Sequence, residues 1–305
     1  MGPARRSEVS LRHVVLAFAV LVLACRAVTA GPALPSPGCR PDVLGTSRTV
    51  TIGDQGPYDL GFKTYPETLA LADHEVVLTF DDGPSRATTP SVLAALESEC
   101  VRATFFLIGR NALAAPALVK REVADGDSVG SHSFSHPEIT LRGLPGAVAQ
   151  ADIEKGFKAV NKAGFDALDP APRVPFFRYP GFADTADLDA WLAARHVTVF
   201  GADLWASDWI TMTPDQELTL LMGRLEKVGR GIVLLHDIKR QTADMLPALL
   251  ARLKAEHFRV VHMVPGPGRT PVTAATPPWR SETDGSIAAL WPRLVKLGAR
   301  SPMPR

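Results

Sequence analysis

Cysteine, aromatic side chains and net charge are all scarce in this 305-residue chain, and each scarcity excludes something. The three cysteines, Cys25, Cys39 and Cys100, show no metal-type spacing, so they build no zinc site among themselves. A formal net charge of +1 leaves no electrostatic footprint for nucleic acid or an anionic membrane. The apolar run Val14 to Cys25 falls short of the roughly 20 residues that a comfortable membrane span needs. No internal repeat is evident. Aromatics make up 7 %, so the five tryptophans are worth locating one by one. What is present is a globular profile: 46 % hydrophobic and 21 % charged residues, enough apolar surface for one large α/β domain or two small ones.

The N-terminus reads as a secretory signal. Arg5, Arg6 and Arg12 precede the apolar run, and small residues ending in Val28-Thr29-Ala30 follow, so cleavage is expected after Ala30. An uncleaved anchor is one rival reading. A lipoprotein acylated on Cys25 is another, although Leu23 stands where such signals want a small or β-branched residue. Without residues 1–30 the chain has 29 basic and 31 acidic residues, a net charge of −2, which suits an uncharged polymer better than a polyanion. Export also makes a Cys39–Cys100 disulfide plausible, tying an N-terminal extension to the main domain; the alternative is two unconnected thiols with Cys100 buried. The expected location is periplasmic or extracellular, with no stable membrane span after cleavage.

Residues 31–74 are rich in Pro, Gly and Ser toward their start and read as an extended, loop-like arm. Apolar strands are expected over 75–80, 103–109, 128–132, 176–178, 197–202, 231–236 and 258–264. Helices are expected over 90–97, 116–125, 147–163, 184–195, 214–228 and 242–256. Strands alternating with helices imply a parallel sheet covered by helices, and continuous apolar strands imply burial on both faces. An open doubly wound sheet and a closed or nearly closed β/α barrel both fit this pattern. Residues 265–305 read as a Pro-rich, partly ordered tail.

Polar residues collect at the C-terminal strand ends, where parallel α/β folds place their active sites. Asp81 and Asp82 close the first strand. Adjacent carboxylates converge on one point only where a strand breaks, and Gly83-Pro84 supplies the break; a solvated Asp-rich turn is the plain alternative. His132 and His136 are four residues apart, so on one helical turn both imidazoles reach one ion. Two histidines and a carboxylate form a catalytic zinc set with an open position, and the same donors also suit octahedral iron or manganese. His236 emerges from the buried run 231–235, with Asp237 placed to hold the loop or cap the next helix. Arg178 follows Phe176-Phe177 and would keep a nearby carboxylate ionised. Trp209, after Asp208, either walls a sugar site or fills the core; Trp191 and Trp205 are assigned to packing. Taken singly, each histidine or arginine is equally explained as a structural group.

Together, T-F-D-D-G-P (79–84), H-S-x-x-H (132–136), R-x-P-G (178–181), S-D-W (207–209) and L-L-H (234–236) resemble the motifs of the polysaccharide deacetylase, or NodB-homology, family, carbohydrate esterase family 4. The likeness spans about residues 75–264, taken as the catalytic domain. It implies a distorted (β/α) barrel and a divalent metal, usually Zn2+ with Co2+ or Mn2+ as alternatives, on Asp82, His132 and His136. It makes Asp81 the general base, steadied by Arg178, and His236 the general acid, oriented by Asp208. Leu234 and Trp209 would line the pocket for the acetyl methyl, and the Gly181 N–H would help hold the oxyanion. Many members carry R-P-P-Y-G in the third motif; here Gly181 takes the tyrosine's place and Tyr179 precedes Pro180, so the amide donor survives but a substrate-facing ring is lost. The implied substrate is an N-acetylglucosamine polymer such as chitin or peptidoglycan. The alternatives are an O-acetylated xylan, or carbohydrate binding without catalysis on the same fold.

Overall fold

A computed structural model describes residues 1–2, 39–169 and 171–300. The expected signal segment beyond residue 2, its expected cleavage site and residues 31–38 of the N-terminal extension lie outside the described residues.

In chain order the strands and helices are β1 (Thr46–Gly53), β2 (Asp59–Leu60), β3 (Glu67–Leu69), β4 (Glu75–Asp81), α1 (Thr89–Ser98), β5 (Thr104–Leu107), α2 (Gly109–Ala114) and α3 (Pro116–Ala124). Next come β6 (Ser128–Ser131), α4 (Gly146–Phe165), β7 (Phe176–Phe177), a 3-10 turn (Pro180–Phe182), α5 (Ala186–Ala193), β8 (Thr198–Phe200) and β9 (Leu204–Trp205). The chain continues through α6 (Pro214–Val228), β10 (Gly231–His236), α7 (Arg240–Ala255), β11 (Arg259–Gly266), β12 (Val272–Ala274) and α8 (Glu282–Lys296).

Parallel ladders run β9–β10–β4–β5–β6–β7–β8, which is most of a ring. Among the described residues no ladder joins β8 to β9. The gap is bridged by the segment around β2, which pairs with β8. There Lys63 N–H donates to the Ala202 carbonyl (2.9 Å) and Phe62 N–H to Asp203 Oδ1 (2.8 Å). Gly61 must be glycine at this crossing: its φ is +118°, and a Cβ would sit 2.7 Å from Ala202 N. The result is an irregular (β/α) barrel.

Strand periodicity divides the core. Val76, Leu78 and Phe80 of β4, Phe105 and Leu107 of β5, and Val233 and Leu235 of β10 pack against buried residues of α1, α6 and α7. The alternate residues Val77, Phe106 and Ile232 join Val50 and Ile52 of β1, Leu60 of β2, Leu69 of β3, Phe176, Phe200 and Met263 in a second cluster. β4 is buried along its full length.

Two expectations are corrected here. The arm expected to be loop-like carries β1, β2 and β3; β1 pairs with β11 from Thr46↔Val260 to Gly53↔Gly266. The tail carries β12, which pairs antiparallel with β3, and the fifteen-residue α8, whose Ile287, Trp291 and Leu294 are buried on one face. Partners some 200 residues away supply the strand hydrogen bonds, so local composition does not reveal them. The Cys39–Cys100 disulfide is formed, with Cα atoms 6.1 Å apart. Among the described residues no helix is long and apolar enough to cross a membrane.

Candidate active site

Because the ladders are parallel, the C-terminal ends of β4, β6, β7, β9 and β10 open onto one rim. The register aligns His236 with Asp81 and Leu234 with Thr79. By the two-residue period, Leu234 and His236 share a face with Thr79 and Asp81.

The strand breaks at Asp82, where φ is +74°, and this turn lets adjacent carboxylates converge. Asn111 Nδ2–H fixes the turn by donating to the Asp82 carbonyl at 2.8 Å. Asp82 Oδ1 lies 3.5 Å from His132 Nε2 and 3.5 Å from His136 Nε2. One donor atom from each of Asp82, His132 and His136 lies within 4.8 Å of the others. The two histidines do not share a helical turn as expected: β6 ends at Ser131, Ser133 has φ +63° and His136 φ +46°. A tight loop of left-handed residues brings the imidazoles together, held by Asp152 Oδ1, which accepts from Phe134 N–H (2.9 Å) and Ser135 N–H (3.1 Å).

Three features fit this triad to a cation. Asp82 Oδ1 is buried with no hydrogen-bond donor. His132 Nδ1–H donates to the Arg178 carbonyl at 2.8 Å, which turns the Nε2 lone pair toward Asp82. Burial, and then the neighbouring His136, hold the His132 pKa down to about 3, so the ring stays neutral as a ligand must.

Asp81 is 2 % exposed and lies beside the triad, its Oδ2 being 3.9 Å from His132 Nε2. Arg178 Nη1 grips Asp81 Oδ1 at 2.7 Å and reaches Thr79 Oγ1 at 2.8 Å. Its Nε and Nη2 donate to the carbonyls of Phe200 (3.1 Å) and Gly201 (2.8 Å), and its guanidinium lies 4.3 Å from the centre of the Phe106 ring. Fully buried, the guanidinium is paired with Asp81 and places four of its five N–H donors in hydrogen bonds, which keeps it charged. Burial raises the Asp81 pKa, and Arg178 opposes that rise.

Across the rim, His236 Nδ1–H and N–H both donate to Asp208, at 2.7 Å to Oδ1 and 2.7 Å to Oδ2. Nε2 is thereby directed toward the triad, 4.0 Å from Asp82 Oδ2. Burial opposes the imidazolium, but Asp208, with Asp82 and Asp81 behind it, overcomes that opposition and the pKa is raised to about 9. Trp209 is exposed, with its ring edge-on to His236 at 6.2 Å. Gly181 sits in the 3-10 turn after β7 with φ +62°.

Trp205, assigned to packing from the sequence, is half-buried between Phe182, stacked at 6.2 Å, and Trp209 at 5.7 Å. Trp191 packs beside the Phe157–Phe177 core with Arg195 over its ring. Asp237 holds the loop as expected: it is buried, accepts from Thr89 Oγ1 and packs against Gly83, where a Cβ would clash with its carboxylate. Sequence reading missed Asn111, Asp152 and Thr242, which act through hydrogen bonds to residues elsewhere in the chain and carry no local pattern, and it gave no role to Thr79, although the first motif includes it.

Residues 70–198 match the family described as Polysaccharide deacetylase. A peptidoglycan-N-acetylglucosamine deacetylase of Listeria monocytogenes is 33 % identical over 197 residues, 63 % of this chain, and the chain spans 38 % of that relative's length. A chitooligosaccharide deacetylase of Sinorhizobium fredii is 35 % identical over 166 residues, covering 53 % of this chain and 71 % of the relative. Among solved structures, a peptidoglycan deacetylase of Bdellovibrio bacteriovorus superposes with a TM-score of 0.64 at 31 % identity, covering 81 % of this chain and 64 % of that one. With its motifs in order on one barrel rim and an enzyme of this kind matched over most of its length, the chain belongs to the polysaccharide deacetylase family.

Proposed function

We propose that this protein is a divalent-metal hydrolase that removes N-acetyl groups from an N-acetylglucosamine-containing polysaccharide, of the chitin-oligomer or peptidoglycan type, and releases acetate. The observation that carries the reading is the convergence at one rim of a His-His-Asp triad, a braced carboxylate and a braced imidazole. Named activities of the relatives support the substrate class.

Asp82, His132 and His136 would hold the metal, with zinc preferred because two imidazoles and a carboxylate are its catalytic donor set; cobalt and manganese are the alternatives. When bound, such an ion supplies a Lewis acid and lets water act as a nucleophile near neutral pH. Asp81 takes the proton of the attacking water on the oxygen that Arg178 leaves free. The Gly181 N–H serves the oxyanion, a contribution worth roughly 3–4 kcal/mol for a preorganised donor. His236 Nε2 delivers the proton that the departing amine needs. Leu234 and Trp209 form the wall against the acetyl methyl. Residues 75–264 are assigned to the catalytic domain, 31–74 to an N-terminal extension and 265–305 to a C-terminal tail, of which 39–74 and 265–300 pack on it, and 1–30 to a secretory signal. Export to the periplasm or the exterior agrees with the disulfide.

Acetate release measured across chitin oligomers, peptidoglycan and acetylxylan tests the reading and separates it from an O-acetyl esterase. Asp82→Ala and His132→Ala are expected to abolish both metal uptake and turnover. Unchanged turnover in either variant, or tight glycan binding by the metal-loaded wild type with no acetate released, would remove it.

A further inference from the structure

Behind the His236–Asp208 pair lies a buried acid that neither the motifs nor the mechanism above uses. Glu217, on α6, is 0 % exposed, and its Oε1 lies 2.9 Å from Thr242 Oγ1. The same hydroxyl lies 2.9 Å from Asp208 Oδ2. Thr242 is itself fully buried, on α7.

Counting protons decides what this arrangement is. A threonine hydroxyl has one proton, and an ionised carboxylate has none to give. Two ionised carboxylates would therefore compete for one proton while repelling each other in a buried site. Asp208 is the one that must be ionised, because it already accepts two N–H groups from His236. The proton that completes the chain then belongs to Glu217.

We propose that Glu217 is a positioning residue: as a neutral acid it donates to Thr242 Oγ1, which obliges the threonine hydroxyl to donate to Asp208 Oδ2 and so fixes the carboxylate that orients His236. The chain runs from Glu217 Oε1–H to Thr242 Oγ1–H, then to Asp208 and the two N–H groups of His236. Its surroundings favour the neutral form: burial first and the Asp208 charge second raise the Glu217 carboxyl to about 7. The groups that face it are Thr242 and Gln241 from α7, Asp208 from the loop after β9, and His236 from β10. No cation among them pairs with Glu217 directly.

The kinetic part of this proposal rests on the deacetylase reading, so its test has a spectroscopic arm that does not. An infrared difference spectrum of wild type minus E217Q, taken at mildly acidic pH, should show the carbonyl band of one protonated carboxylic acid, lost on titration through about pH 7. Absence of that band overturns the proposal whatever the enzyme does. On the metal-loaded protein, E217Q keeps an N–H donor for Thr242 and should hold kcat within about twofold of wild type. E217A and T242V should each lower kcat about tenfold with KM unchanged, the size of one lost buried hydrogen bond. T242S should restore it. The double variant should be no worse than T242V, since both break one chain. The fall in kcat as wild type passes above pH 7 should be weakened in E217Q, a change that lost packing alone does not produce. Equal damage in E217Q and E217A would show that the charge, not the proton, matters, and would refute the assignment. If wild type releases no acetate from any substrate while the band is present, the deacetylase reading fails and the protonated Glu217 stands.

Discussion

Replacing Arg178 tests the base half of the site most sharply. The guanidinium is fully buried and makes four hydrogen bonds, of which only the one to Asp81 is an ion pair. Arg178→Met keeps length and apolar bulk but strips Asp81 of its counter-ion. Breaking a buried pair from one side costs about 3–5 kcal/mol, because the remaining charge is left in a low-dielectric site. At roughly 2–4 °C per kcal/mol for a chain of this size, the melting temperature should fall by about 10 °C. Burial is the largest influence on Asp81 and already raises its pKa, and without Arg178 the main opposing influence disappears. Its pKa therefore rises further, so a larger share of the carboxyl is protonated and unable to accept the water's proton. General-base participation is worth about 100-fold or more, so kcat at about pH 7 should drop by at least that factor and recover in part as pH rises. Acetate release followed from acid to alkaline pH, with metal content and a thermal melt on the same samples, measures all three effects. Arg178→Lys keeps the charge without the fork and should fall between. A folded, metal-replete Arg178→Met protein with kcat within about threefold of wild type would refute the assignment of Asp81 as a buried base that depends on this arginine.

Asp208→Asn addresses the acid half. Burial works against the His236 cation, and Asp208, helped by Asp82 and Asp81, still raises it to about 9. A raised histidine contributes stability that is complete below its unfolded pKa of about 6.5 and is lost as pH climbs through about 9. With the strongest of these charges removed, the pKa falls from that of wild type: the alkaline limb of kcat should move to lower pH, and the stability advantage below it should shrink. A bound cation lowers wild type and variant alike, so the displacement between the two limbs is the test, and coincident limbs would contradict the role. Cys100→Ser removes a cross-link across a sequence separation of 61 residues. A loop of that length implies about 4 kcal/mol from chain entropy, so a melt lowered by about 10 °C is expected with kcat unchanged; an unchanged melt would mean that β1 docks without the tether.

Legibility in the sequence followed the range of the interactions. Continuous apolar runs such as Val76–Phe80 and Ile232–Leu235 betray strands buried on both faces, and the residues that end them name the site. The five clusters could be read because each sits where a strand stops, a local event. His132 and His136 were expected side by side on a helical turn and do lie side by side, but on a loop, because spacing i to i+4 fits a helix and equally fits a loop with Ser133 and His136 at positive φ. β1 stayed hidden because its hydrogen bonds go to β11, and Glu217 because an acid on an amphipathic helix normally faces water.

The site is held in shape by the helices as much as by the strands that present it. Four of its loops contain non-glycine residues at positive φ: Asp82 (+74°), Ser133 (+63°) with His136 (+46°), Phe182 (+56°) and Ser207 (+61°). Such conformations cost of order 1–3 kcal/mol each and persist only where their surroundings impose them. In three of the four, a side chain from a helix does so. Asn111 of α2 holds the Asp82 carbonyl, Asp152 of α4 gathers the amides between the two histidines, and Arg224 of α6 donates to Ser207 Oγ at 2.7 Å. Helix α7 adds Gln241, whose Nε2–H donates to the Ile210 carbonyl at 3.0 Å, and Thr242. Each of these helices thus packs apolar residues on the barrel and sends one or two polar side chains toward the rim. The barrel supplies direction to the catalytic groups, and the helices supply the restraint that keeps strained loops from relaxing away from them.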